Sequence, residues 1–177
     1  MVRLRHFDGD GRVRFVTFST YRRLPILSNR VFRQIVTTAI DEVRAGGRFC
    51  LLGWVLMPEH VHLVLLPGEG EKLGAIVGDL KRISARRIHD RLSAEKSKLN
   101  KILTANRHGR VRFGLWQPRC YDHNCRSEES VWQKVRYCHW NPVQRGLVSR
   151  PEEWIWSSYR WYRGLDQVLL EMDALPS

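Results

Sequence analysis

At 177 residues and 43% apolar composition, the chain can bury one good core and has little length for two, so a single domain spanning 1–177 is expected. No apolar run approaches the roughly 20 residues of a membrane span, and the opening Met1-Val2-Arg3-Leu4-Arg5-His6 lacks the apolar stretch of a secretory signal; a soluble, unexported, cytoplasmic protein is expected. The net charge of +12 is concentrated, because residues 81–126 hold 13 Lys or Arg against three acids. Arginine supplies 24 of the 30 basic residues, and its planar fork suits phosphate oxygens and guanine edges, so nucleic acid is the natural partner. Cys50, Cys120, Cys125 and Cys138 form no CxxC pair or zinc-finger spacing and read as reduced, structural thiols.

In chain order, Val13 to Thr20 reads as a strand buried on both faces. Ser28 is the expected N-cap of a helix whose apolar period runs from Val31 to Val43 and stops at Gly46-Gly47. Phe49 to Leu56 and His60 to Leu66 are strands joined by the turn Met57-Pro58-Glu59. Leu73, Ile76, Val77, Leu80 and Ile83 mark a second helix, with Lys81, Arg82, Arg86 and Arg87 as a candidate DNA track. Residues 93–112 have few apolar anchors and look like a mobile basic insertion, with Arg112 and, beyond it, Arg119 as further DNA contacts. Val111 to Trp116 is the expected fourth strand. The order βαββαβ closes most simply as an α+β, ferredoxin-like antiparallel sheet with helices on one face.

A further helix begins at Ser127 and is expected to end near Asn141, before Pro142. On a 100° wheel Val131, Val135 and Cys138 cluster, with Gln133, Tyr137 and Asn141 roughly opposite. Residues 149–177 form an aromatic extension expected to pack on the domain, with the last dozen residues turning acidic and fraying.

Chemistry enters with His60 and His62, which share one face of a strand because strand side chains alternate. Tyr137 and Asn141 share a helix face at i and i+4, so one helix could carry both an oxygen nucleophile and an oxygen ligand to the imidazole pair. A tyrosine hydroxyl titrates near pH 10, so attack on a phosphodiester at neutral pH requires the phosphate charge to be neutralised. Two neutral imidazoles and an amide oxygen would leave a bound cation its full charge. Each motif is weak alone: the histidines could be ordinary core residues, and Asn141 could bond its own backbone.

The strings Trp54 to Leu63 (WVLMPEHVHL), Trp116-Gln117-Pro118, Tyr121-Asp122-His123, Tyr137 to Val148 (YCHWNPVQRGLV) and Trp156-Ser157-Ser158-Tyr159 closely resemble the REP-associated tyrosine transposases, within the IS200-like, single-tyrosine HUH transposases of bacterial insertion sequences. The resemblance implies a single-strand DNA endonuclease and strand transferase with Tyr137 as nucleophile, and His60, His62 and Asn141 as ligands of Mg²⁺ or Mn²⁺. It also implies REP-like palindromic hairpins as substrate and a covalent 5′-phosphotyrosine. Relatives include both monomers and dimers, and monomer is the expectation here. Three departures stand out. Asn141 occupies a position that is usually Gln in the insertion-sequence branch, Glu59 one that is often Asn, and Tyr121 is a rival nucleophile with no amide one turn on. A different class of reading is a domesticated DNA hairpin-binding protein with vestigial or no cleavage activity. A third, an RNA-binding ferredoxin-like module, expects stacking aromatics on the sheet face in place of histidines.

Overall fold

A computed structural model describes residues 11–107 and 109–174; the amino-terminal hexapeptide and the final three residues lie outside that range. Strand β1 (Arg14–Ser19) is followed by helix α1 (Arg30–Arg44), strands β2 (Phe49–Leu56) and β3 (His60–Pro67), and helix α2 (Leu73–Ala94). Next come helix α3 (Lys98–Leu103), strands β4 (Thr104–Arg107), β5 (Arg110–Phe113) and β6 (Tyr121–Asn124), helix α4 (Glu128–Gln144), and the short α5 (Tyr159–Tyr162). The main sheet runs β2-β3-β1-β6 with every neighbouring pair antiparallel.

The alternation of β1 and β3 divides the core in two. Val16, Phe18, Val61, Leu63 and Leu65 face Phe32, Val36 and Ile40 of α1 and Ile76 and Leu80 of α2. Phe15, Val55 and Val64 face Val131, Val135 and Cys138 of α4. The sheet therefore carries two helices on one side and the late helix on the other, in keeping with an α+β architecture.

Several boundaries differ from expectation for local reasons. The α1 N-cap is Asn29, whose side chain accepts from the Val31 and Phe32 amides; Ser28 belongs to the preceding 3-10 turn. The fourth strand of the main sheet is β6, whereas Arg110–Phe113 pairs with Thr104–Arg107 in a separate hairpin. Residues 93–112 are thus not an unstructured loop: they include α3 and most of that hairpin, anchored by the fully buried Leu103. Their composition hid this because so few apolar residues do the anchoring.

Pro142 does not end α4, which runs on to Gln144. The stop is Gly146 in the left-handed region at φ 66°: its amide donates to the Val143 carbonyl and the Leu147 amide to the Pro142 carbonyl, a Schellman closure. A proline inside a helix removes one backbone donor, here tolerated in a buried position one turn from the end.

The carboxy-terminal segment seals the outer edge of β2. The Leu56 amide donates to the Trp156 carbonyl, the Ser158 amide to the Trp54 carbonyl, and the Trp154 indole to the Leu56 carbonyl. Asp173 completes the seal, accepting from the Leu51 amide at 2.7 Å while its own amide donates to the Leu51 carbonyl and its carboxylate pairs with Arg44. Leu170 and Met172 are buried. The acidic end is docked through Asp173 and not frayed up to that residue, because an open strand edge leaves backbone groups that must be satisfied.

Two contacts fix α4 on the sheet. A Cβ at Gly53 would stand 3.0 Å from Val135 Cγ2, so glycine there lets the helix approach β2 closely. His139 is buried, with Nε2 3.0 Å from the Ser158 hydroxyl, and burial pushes its pKa down to about 4. Gly53→Ala should therefore cost about 1–3 kcal/mol by overpacking, read as a lower urea midpoint; a variant unfolding at the parental midpoint contradicts the contact. For His139 the unfolded chain, titrating near 6.5, takes up its proton first as pH falls. Its contribution is whole above about pH 6.5 and is lost progressively toward pH 4, by up to roughly 3 kcal/mol. His139→Gln should flatten part of the fall in urea midpoint between neutral and acid pH, and an unchanged slope would refute the assignment.

Candidate active site

His60 and His62 project from the α4 side of β3 and are both buried, with their Nε2 atoms 2.9 Å apart. Each ring is held from behind. Glu59 Oε1 lies 3.1 Å from His60 Nδ1, and Thr17 Oγ1 lies 2.7 Å from His62 Nδ1 across the β1–β3 pairing. An ionised carboxylate only accepts, so His60 Nδ1 carries the proton and its Nε2 presents a lone pair. Glu59 is itself clamped by Arg145 at 2.9 Å and Arg23 at 3.5 Å. Burial pushes this carboxyl up, but His60, Arg145 and Arg23 together outweigh it and leave the pKa below the ordinary value.

Both imidazoles are held neutral. Burial drives His62 down to about 3, reinforced by the charges of His60, Arg23 and Lys134. Burial also lowers His60, against the opposing pull of Glu59. Neutral rings keep their lone pairs at physiological pH, which is the form that binds metals.

Helix α4 brings the remaining residues. The Asn141 side chain is buried, with Nδ2 3.4 Å from His62 Nε2 and an Oδ1 that has no hydrogen-bond partner. Tyr137 sets its ring edge-to-face against His62, centroids 5.3 Å apart, and against Phe15 at 5.8 Å, while Phe15 stacks on His62 at 5.1 Å. The tyrosine remains 42% exposed, open to a ligand from solvent. Asn141 is not opposite the apolar stripe, as the wheel suggested; it lies about 60° from Cys138, on the flank of the buried face that reaches the histidines.

The donor set fits a divalent cation. With the proton of each ring on Nδ1, as Glu59 imposes on His60 and the Thr17 hydroxyl can accept from His62, the two Nε2 atoms 2.9 Å apart match adjacent ligands at about 2.1 Å from one ion. A 180° turn of the Asn141 amide would exchange its unpartnered Oδ1 with Nδ2 and add an oxygen donor. Among the described residues, no group of three or more His, Cys, Asp or Glu forms an alternative metal centre.

The expected DNA contacts separate into two kinds. Lys81 is committed: its ammonium donates to the carbonyls of Gln117, Pro118 and Arg119 at 3.0–3.4 Å, and burial lowers its pKa. Arg82 pairs with Asp79 and Arg87 with Glu42. Arg86, Arg112 and Arg119 are exposed. Lys81, Arg82, Arg110 and Arg112 line a groove of about 890 Å³ on the α2 side of the sheet, away from the histidine pair.

Sequence reasoning missed Thr17, Phe15, Lys134 and Arg145. Strand parity in β1 places Thr17 and Phe15 on one face, and Arg145 follows Asn141 by one helical turn, but only the tertiary pairing shows what they touch. Lys134 sits one turn before Tyr137, with its ammonium 4.9 Å from the centre of the Phe15 ring.

No helix among the described residues is long and apolar enough to cross a membrane. The chain is 25% identical over 155 residues to the REP-associated tyrosine transposase of Escherichia coli K12, covering 88% of this chain and 80% of that protein. It is 29% identical over 142 residues to a putative REP-associated tyrosine transposase of Haemophilus influenzae, covering 76% of each. A solved REP-associated tyrosine transposase bound to a REP hairpin superposes with a TM-score of 0.69 at 24% identity, over 100% of this chain and 95% of that one, and supports the fold. The family model described as "Transposase IS200 like" matches residues 10–107, a span that includes the histidine strand and ends before α4. The chain belongs to the IS200-like transposase family.

Proposed function

We propose that this transposase cuts and rejoins single-stranded DNA at the foot of REP-like palindromic hairpins through a covalent tyrosine intermediate. The observation that carries the reading is the meeting of α4 and β3: the Tyr137 ring and the Asn141 amide both reach His62. The relatives named for REP elements, and the one bound to a REP hairpin, motivate the substrate.

His60, His62 and Asn141 would hold Mg²⁺ or Mn²⁺, which supplies Lewis-acid neutralisation of the scissile phosphate. Thr17 and Glu59 fix the ring orientations, and the arginine clamp on Glu59 keeps its charge from dominating the site. The Tyr137 oxygen attacks phosphorus as the P–O3′ bond breaks; the phenolic proton leaves and the departing 3′ oxygen gains one. The 5′-phosphate is then joined to Tyr137. A 3′-OH can attack that phosphotyrosine, restoring a phosphodiester and the free phenol without an outside energy source. The exposed arginines at 86, 112 and 119 supply phosphate contacts.

Tyr137→Phe should eliminate the covalent DNA adduct on a denaturing gel while hairpin affinity stays near the parental value; an adduct that survives places the nucleophile elsewhere. Chelation of divalent metal should stop adduct formation and its return should restore it. If the parent binds hairpins with steep salt dependence but forms no adduct with either cation, the protein is a hairpin binder without cleavage. Thr17→Val, which removes only the hydroxyl behind His62, should weaken Mn²⁺ binding by about 10- to 100-fold in calorimetry without DNA. An unchanged affinity would remove Thr17 from the site.

A further inference from the structure

One exposed aromatic lies on the active-site face without a role in the cleavage chemistry. Tyr121 opens β6, directly across from Thr17, and Thr17 is directly across from His62. Opposed residues of antiparallel strands project from the same face, and the Thr17–His62 hydrogen bond identifies that face as the one bearing the imidazole pair. Tyr121 therefore stands on the floor of the site, two strand spacings or about 10 Å from His62.

Its environment is that of a waiting surface. Helix α4 packs over β2 and β3, and on the far side of β1 the Tyr121 side chain is 48% exposed. It has no hydrogen-bond, ion or ring partner among the described residues. The strand carrying it is braced, because the Lys81 ammonium holds the three carbonyls immediately before Cys120 and Tyr121. Exposed Arg119 and Arg126 flank it along the chain, and Lys134 borders the site from α4. A polynucleotide running from the basic groove beside α2 to the histidine pair by way of the β6 edge would meet Tyr121, which is exposed there together with His123.

We propose that Tyr121 is a base-stacking platform for an unpaired nucleotide close to the scissile phosphate, holding a base while Tyr137 meets the phosphorus. The inference rests on the single-strand cleavage reading and gives it a second binding point. A stacked strand advances about 3.4 Å per phosphate, so the seated base lies within about three nucleotides of the cut. Stacking on a phenol tolerates any base because every base has a π face. Tyr121 is then no rival nucleophile, since it stands on the wrong element to share a helical turn with Asn141.

The test uses the full chain carrying Tyr137→Phe, so that binding is read without cleavage. The probes are a synthetic DNA hairpin with a short single-stranded extension containing a fluorescent base analogue, and the same hairpin without the extension. Tyr121→Ala and Tyr121→Leu, the latter keeping apolar bulk without a π face, should each weaken the extended hairpin by roughly 5- to 100-fold and relieve quenching of the analogue. Tyr121→Phe should retain both, and the unextended hairpin should bind all variants alike. Unchanged affinity and quenching in the Ala and Leu variants overturn the platform, as does an equal loss on both hairpins or a Phe variant as weak as Ala. The chain with Tyr137 intact is assayed separately for adduct formation. Stacking without an adduct leaves the platform and sinks the cleavage reading, whereas an adduct with parental binding in the Tyr121 variants does the reverse.

Discussion

The docking of α4 across β2 and β3 is the constraint on which the site depends. The helix carries both Tyr137 and Asn141, and neither has any relation to the histidine strand until Val131, Val135 and Cys138 are buried against Val55 and Val64. Gly53 sets how near the helix comes, and His139, bonded to Ser158, ties it to the carboxy-terminal segment. Interiors pack as densely as organic crystals, so a misfit of a few tenths of an ångström at this seam would be transmitted to the tyrosine ring. The precision with which Tyr137 meets the imidazole pair is supplied by apolar packing remote from it.

Electrostatics then determines what the seam can hold. Burial keeps both imidazoles neutral, and Thr17 and Glu59 turn their remaining nitrogens toward one another. Glu59 could have made the site anionic, but Arg145 and Arg23 share its carboxylate. Because Arg145 lies just past α4 and Glu59 just before β3, the same ion pair orients a ring and pins the end of the helix that carries Tyr137 and Asn141. With the Arg145 side chain about half exposed, its attraction to Glu59 is moderated by solvent, and its geometric effect matters more than its energy.

The sheet's edges are treated differently. The β2 edge is closed by residues 154–173, which satisfy its backbone groups and give the aromatic extension its role. At the opposite end, β6 leaves Tyr121 exposed, and the stretch before it is pinned by Lys81. The charge excess of residues 81–126 is real, but it is not a uniform track: Lys81, Arg82 and Arg87 serve internal contacts, and exposed Arg86, Arg112 and Arg119 remain for a partner. Counting charges along a chain does not distinguish these, because carbonyl and carboxylate partners come from distant segments.

The amino-acid sequence alone determined the main strands and helices and the imidazole pair, since alternation and helical period are local properties that survive without a fold. Phe49–Leu56 was legible to the residue, and His60 and His62 had to share a face once their segment was extended. Local rules failed where a distant contact overrode them: Pro142 stays helical under burial, the acidic tail docks on a strand edge, and the last sheet strand is Tyr121–Asn124 and not the earlier Val111–Trp116 run. Thr17 behind His62 and the arginines on Glu59 arise only from long-range pairing, whereas the place of Asn141 on the flank of the buried face is already contained in the 100° helical spacing. Spacing along the chain states which residues can share a face; which faces then meet is settled by burying the greatest apolar surface at once, a property of the whole chain.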